Sequence, residues 1–286
     1  MPVATPQSVI AEVPFLSPSV KEKPFTYTTS GNTNVKTEEH DIKITDLRSL
    51  PESELGDFTT DHSGFQWVKH ESKLKGDELF DEEKIKNEYY PEVDAFLKKT
   101  LGARRTFIFD HTTRRAPPRG EKVEFGGGRD PARRQPGTRA HVDQTPKAGA
   151  ERVFLHLGED AERLSKGRAQ IVNVWRPIRG PVRDYPLAVA DYRSINPETD
   201  LQPHDLISPT RKGETYSVRY GDHQKWYYIK DQQPDDVLLL KCYESEVEPG
   251  RALLTPHTAF LNKESLTQEY EPRQSIEVRV LVFYTE

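Results

Sequence analysis

The chain has 286 residues, with 41 Lys plus Arg against 46 Asp plus Glu and a net charge of −5. The length allows one large domain or two small ones, and the charge balance is not the basic one of a dedicated nucleic-acid binder. A lone cysteine, Cys242, excludes a disulfide framework and a Cys-rich zinc site, and no apolar run approaches the roughly 18 residues of a membrane span.

Residues 1–40 carry Pro, Ser, Thr and Lys with little periodicity, and read as an extended arm on the surface of a domain spanning 41–286. The N-terminus has no basic region followed by an apolar block, so no signal peptide is expected and a cytoplasmic location is the default. Short elements are expected at 40–47 and 64–70. The best helix is 81–102. Asp81 is its N-cap, Glu82 and Glu83 lie in the first turn, Lys98 and Lys99 lie near the end, and Gly102 follows. Pro91 is expected to break it in two.

FIFD at 107–110 reads as a strand. An Arg, Gly and Pro stretch follows over 111–140, with GGG at 126–128 and nine Arg between 103 and 140. It reads first as a solvated loop and second as a lid beside an active site. After 140 the expected strands are 153–157, 169–175, 187–195, 215–220, 225–229, 236–243, 252–260 and 275–284, separated by Gly, Pro, Asn and Asp turns. One helical run before a β-rich half indicates a mainly β fold with packed helices, a jelly-roll or cupin-like barrel.

His141 and Asp143 form H-V-D, and residues i and i+2 of a strand share a face. His257 follows Asp143 by 114 residues, in TPHTAF. Two imidazoles and a carboxylate on one face of an octahedral metal leave three positions open, the pattern of non-haem Fe(II) oxygenases. H-x-D alone is a weak signal, and an ordinary surface turn explains it equally. Asp110 and His111 are a competing pair without the i, i+2 spacing.

In the last strand Arg273, Ser275, Glu277, Arg279, Leu281 and Phe283 share one face, and Ile276, Val278, Val280 and Val282 the other. The aliphatic face suits packing under a helix, which turns the arginines inward, where a guanidinium needs an anion. The distal carboxylate of 2-oxoglutarate supplies one. Pairing of Arg279 with Glu277 is the structural alternative. Asn173 is a candidate hydrogen-bond donor to the co-substrate. Arg114, His223, Trp226 and Tyr228 are candidates for substrate contact, although strand aromatics are usually core and loop arginines usually solvated.

Together HVDQT, VNVWRPIRGPVRDYPLAVADYRS, DHQKWYYI, DDVLLLKCYES, TPHTAF and RQSIEVRVLVFY resemble the fungal AsaB-type hydroxylase/desaturase family. That family includes gibberellin desaturase-like proteins, a relative of the cephamycin methoxylation protein CmcJ, and the novofumigatonin endoperoxide synthase. The resemblance covers roughly residues 60 to 284 and leaves the arm outside. It implies an Fe(II)/2-oxoglutarate-dependent dioxygenase on a double-stranded β-helix, using O2 as co-substrate and acting in fungal secondary-metabolite biosynthesis. The implied iron ligands are His141, Asp143 and His257. The implied 2-oxoglutarate arginine is Arg273, in an R-x-S pattern with Ser275, or Arg279, which is favoured because it lies well inside the strand.

The reaction expected is hydrogen abstraction from an unactivated C–H bond, leading to hydroxylation, desaturation or endoperoxide formation. The substrate is a small molecule, a terpenoid, meroterpenoid or amino-acid-derived scaffold. The alternative is a hydrolase or isomerase using the same triad with another metal, which needs no interior arginine. A third reading is a binding module built on the Arg/Gly loop. Neither nucleic acid nor membrane is an expected partner, and an extended arm admits a homodimer.

Overall fold

The computed structural model describes residues 5–121, 123, 134–267 and 269–285. Fourteen strands run through them: β1 (Ser8–Leu16), β2 (Phe25–Tyr27), β3 (Thr37–Asp46), β4 (Phe65–Lys69), β5 (Arg105–Arg115), β6 (His141–Val142), β7 (Ala169–Pro177), β8 (Leu187–Ala190), β9 (Leu201–Ile207), β10 (Lys212–Val218), β11 (Trp226–Tyr228), β12 (Asp236–Glu244), β13 (His257–Ala259) and β14 (Gln274–Phe283). They form a nine-stranded sheet in the order β1-β3-β11-β8-β13-β6-β10-β9-β2 and a five-stranded sheet in the order β4-β12-β7-β14-β5. The two sheets face one another in a double-stranded β-helix. Leu187, Val189 and Ile229 of one side pack there against Phe65, Trp175, Leu238 and Leu240 of the other.

The faces of β14 follow the alternation of its sequence. Ile276, Val278, Val280 and Val282 lie in one buried cluster with Tyr89, Val93, Phe96 and Leu97 of the helical segment. The opposite face, with Ser275, Glu277 and Arg279, looks between the sheets. Asp81 caps the helical segment as expected, accepting from the Glu83 and Lys84 amides, and Gly102 closes it at φ 71°. Pro91 does not break it. The backbone is π-helical over Ile85–Tyr89 and α-helical over Tyr90–Leu101. Proline has no N–H and crowds the carbonyl four residues back, and a wider turn ahead of it absorbs both defects.

Three expectations are corrected. Residues 1–40 do not form a surface arm throughout. β1 pairs with β3 over Ser8–Leu16, and Val13 and Phe15 are fully buried. Its alternating apolar residues make it a strand, and its pairing within the chain removes the free arm on which a homodimer was argued. The expected strand 153–157 belongs to the helix Pro146–Leu157, started by Thr145, whose hydroxyl accepts from the Ala148 amide. There Ala148, Gly149 and Val153 are buried while Phe154 and Leu155 are exposed, a helical spacing beneath a short apolar run. The expected loop from 111 begins later, because β5 continues to Arg115 along β14. GGG at 126–128 lies outside the described residues.

A buried ionic cluster ties the strand ends together. The Lys241 ammonium lies 2.8 Å from both Asp61 and Glu244, and Arg168 lies 2.6 Å from Glu244. Burial opposes ionisation of Asp61, but hydrogen bonds from Arg168 and Lys241 outweigh it and bring the carboxyl to about 2. A depressed folded value means stability that is present above the ordinary carboxylate range and lost as pH falls towards about 2. Asp61→Asn is therefore expected to flatten the fall of melting temperature between roughly pH 4 and pH 2. A melting series across that range on both proteins checks it, and parallel curves would refute the assignment.

Candidate active site

β6 and β13 are adjacent antiparallel strands, and their register sets His141 directly opposite His257. Residues so paired have Cβ atoms about 5 Å apart, and here the ring centroids are 4.4 Å apart. Asp143, just past β6, completes the group. One donor atom from each of His141, Asp143 and His257 lies within 4.8 Å of the others. Asp143 Oδ1 is 3.4 Å from His141 Nε2 and 3.8 Å from His257 Nε2.

Hydrogen bonds fix which atoms face the centre. His141 Nδ1 donates to the Arg139 carbonyl at 2.8 Å and His257 Nδ1 to the Thr255 carbonyl at 3.0 Å. In each ring this leaves an Nε2 lone pair for a metal. Burial lowers the His257 pKa, which favours the neutral imidazole a metal requires. Asp143 Oδ2 accepts from Asn173 Nδ2 at 2.8 Å and from Arg279 Nε at 3.3 Å, leaving Oδ1 for the centre. Burial opposes ionisation of Asp143, but Arg279, then the two histidines, hold it well below the usual carboxylate range.

The loop before β4 supports His257 from behind. Gly64, at φ +89°, accepts the Thr255 hydroxyl on its carbonyl. A Cβ there would lie 2.6 Å from the Leu254 carbonyl oxygen, so only glycine fits beside the backbone that positions His257.

Arg279, within β14, and Arg273, just before its first residue, stand in different surroundings. Arg279 is paired with Asp143, with Asp110 at 3.2 Å and with Glu277 at 2.5 Å, and it also donates to Thr112. Burial would lower its pKa, but Glu277, Asp143 and Asp110 raise it. Arg273 is fully enclosed, donates to the Tyr185 carbonyl at 2.7 Å and lies 5.1 Å from the Trp175 ring centroid. No carboxylate pairs with its guanidinium among the described residues. Burial, then the neighbouring Arg114, lowers it to about 9. Ser275 lies beside it, and the β5–β14 register places Arg114 opposite Ser275. Arg114 is thus a strand residue, not a solvated loop arginine, and donates to the Gln135 carbonyl.

The remaining candidates are elsewhere. Asn173 is engaged with Asp143. His223 sits at the surface against Asp200 at 2.9 Å. Trp226 and Tyr228 belong to a separate core cluster with Val13, Phe15 and Ile42. Tyr227, opposite Val189 and so on the His257 side of the sheet, packs on the intersheet core instead. His111 faces the helical segment, bonded to Tyr90 and Glu82, while Asp110 faces Arg279. Arg152, one residue before the segment 153–157 expected as a strand, was not singled out in the sequence and lies on the helix Pro146–Leu157. The capping pair Thr145-Pro146 was the signal that could have placed it on a helix.

A family profile described as an oxidoreductase/YMDC permease-like domain matches residues 13–283, starting inside the segment expected as an arm. The chain is 36% identical to the hydroxylase/desaturase efuI of Hormonema carpetanum over 274 residues, covering 90% of this chain and 88% of that protein. It is 33% identical to the Fe(II)/2-oxoglutarate-dependent dioxygenase nvfI of Aspergillus novofumigatus over 252 residues, 85% of this chain and 83% of that one. A solved structure of the iron and alpha-ketoglutarate-dependent endoperoxidase NvfI superposes with a TM-score of 0.82 at 29% identity, covering 99% of this chain and 100% of that chain.

Proposed function

Because the chain belongs to the fungal Fe(II)/2-oxoglutarate-dependent hydroxylase/desaturase family of secondary metabolism, we propose that His141, Asp143 and His257 hold its iron and that Arg273, not Arg279, anchors 2-oxoglutarate. The observation that carries the ligand assignment is the convergence of two Nε2 lone pairs and one carboxylate oxygen, each fixed by a hydrogen bond on its far side. That donor set fits a facial triad with three positions left open. Iron bound there with 2-oxoglutarate and O2 supplies the oxidising power to cleave an unactivated C–H bond.

The protein's residues do the placing. The Arg139 and Thr255 carbonyls hold the imidazole tautomers. Asn173 and Arg279 keep the Asp143 carboxylate ionised and aimed. Arg273 offers a buried guanidinium that forms no ion pair with a carboxylate among the described residues, with Ser275 as a hydroxyl donor and Arg114 as a second positive charge nearby, a match for the distal carboxylate of 2-oxoglutarate. Trp175 walls the same space and keeps water from that carboxylate. A hydrolase on this barrel has no use for such an arginine, which weighs against that alternative. The substrate is a small apolar metabolite of terpenoid, meroterpenoid or amino-acid-derived type. Its position relative to the iron ligands sets whether hydroxylation, desaturation or peroxide formation follows. Among the described residues no helix is long and apolar enough to cross a membrane, and we assign the enzyme to the cytoplasm.

Anaerobic titration with Fe(II) and then 2-oxoglutarate tests the reading. The expected result is a weak visible charge-transfer band near ~500 nm, as for a 2-oxo acid chelated to an open facial-triad iron. Iron binding with no band would sink the co-substrate assignment, and no iron binding would sink the ligand assignment.

A further inference from the structure

The roles above use Arg273 and Arg279 but leave another guanidinium at the site without a task. Arg152 projects from the helix Pro146–Leu157, which starts just after Asp143. Its Nε is buried with no hydrogen-bond partner, and no carboxylate pairs with the guanidinium among the described residues. Its Cζ lies 5.3 Å from the centroid of the Phe109 ring. His156, one helical turn further on, stacks on the same ring at 4.9 Å. Arg211, in the turn between β9 and β10, adds a second positive charge within range.

A bulge in β5 creates this arrangement. Arg279 of β14 pairs with Asp110, but Val280 pairs with Ile108, so Phe109 is the extra residue. A bulge re-aims a side chain, and Phe109 joins Phe107, Leu281 and Phe283 on the face that carries Arg279. The result is an apolar floor with a guanidinium above it. Arg273, just before β14, and Arg279 within it are six residues apart, about 20 Å at ~3.4 Å per residue of extended chain. Arg152 interacts with Arg211, Arg279, Asp110 and Asp143, whereas Arg273 interacts with Arg114, Asp184 and Glu277. The unpaired guanidiniums of Arg152 and Arg273 therefore serve different parts of the site.

Asp110 and Asp143, the acids within range of Arg152, are both paired with Arg279. Burial, then repulsion from Arg211, lowers the Arg152 pKa to about 10. A guanidinium that is partly desolvated beside another one is stabilised by an anion, and its planar fork matches a carboxylate. Resting on the oxygenase reading, we propose that Arg152, backed by Arg211, receives a carboxylate of an otherwise apolar substrate that lies on Phe107 and Phe109. The carboxylate then fixes the register of the substrate, and so which carbon is presented at the iron ligands.

The test uses 1-pyrenebutyrate and its methyl ester, which share an apolar ring system and differ in the charged group. Binding to protein loaded anaerobically with Fe(II) and 2-oxoglutarate is followed by fluorescence anisotropy. The acid is expected to bind about tenfold or more tightly than the ester, the scale of one charge-assisted hydrogen bond. Arg152→Gln is expected to erase the difference and Arg211→Gln to reduce it, with the 2-oxoglutarate titration of both variants unchanged. Equal binding of acid and ester, binding of neither, or a preference that survives Arg152→Gln overturns the proposal. Loss of the iron–2-oxoglutarate band in the unaltered protein would instead count against the oxygenase reading, so the two failures are distinguishable.

Discussion

Arg273→Leu is expected to weaken 2-oxoglutarate binding by about 10- to 100-fold, the loss of one or more charge-assisted hydrogen bonds, with iron affinity unchanged. The apo-protein should be no less stable than the unaltered chain. Its guanidinium is buried and forms no ion pair with a carboxylate among the described residues, and replacing such a charge by an apolar side chain is commonly neutral or stabilising. Arg279→Leu should do the reverse. It leaves Asp143, Glu277 and Asp110 without their shared cation, and breaking a buried pair costs about 3–5 kcal/mol. Urea denaturation of both apo-variants, beside 2-oxoglutarate titrations of their iron-loaded forms, separates the roles. A large 2-oxoglutarate defect in Arg279→Leu with normal stability would return the anchor to Arg279.

His257→Ala is expected to reduce iron affinity by at least about 100-fold, the upper end of what losing a mere outer partner of a ligand costs. The iron–2-oxoglutarate band should vanish with it, and turnover with it. The apo-protein should still fold, because the imidazole's hydrogen bond is to a backbone carbonyl and Asp143 keeps Arg279 and Asn173 as partners. Added imidazole should restore part of the band by entering the space left beside His141 and Asp143. Iron bound at the original affinity in the variant would show that His257 is not a ligand.

The fold and the triad were legible in the sequence for local reasons. Alternation in β14 divides the aliphatic residues from Ser275, Glu277 and Arg279 whatever the partner strands are. H-x-D brings His141 and Asp143 to one side of an extended segment. The ordered motifs then identify the family, whose membership the relatives establish. Where local pattern was ambiguous, the reading failed. Residues 153–157 are apolar enough for a strand, yet the Thr145-Pro146 start makes them the end of a helix. HTTRR after FIFD looks like the start of a loop, yet it is held in β5 by five successive partners, residues 274–278 of β14. Trp226 and Tyr228 are aromatic strand residues as expected, but strand order turns them into a cluster away from the triad.

The choice between Arg273 and Arg279 shows what remained undecided and why. The one local difference, that Arg279 lies inside β14 while Arg273 lies just before its first residue, favoured Arg279 in the sequence and says nothing of which cation is already paired. Arg279 is neutralised by Asp110 and Asp143, which lie 169 and 136 positions away in the chain. Arg273 has no such partner among the described residues. The sequence by itself determined the donor set, the alternating faces and the family. Tertiary structure decided which cations are already paired, because pairing depends on strand order and register. The same long-range pairing, with the bulge at Phe109, leaves Arg152 available for a ligand.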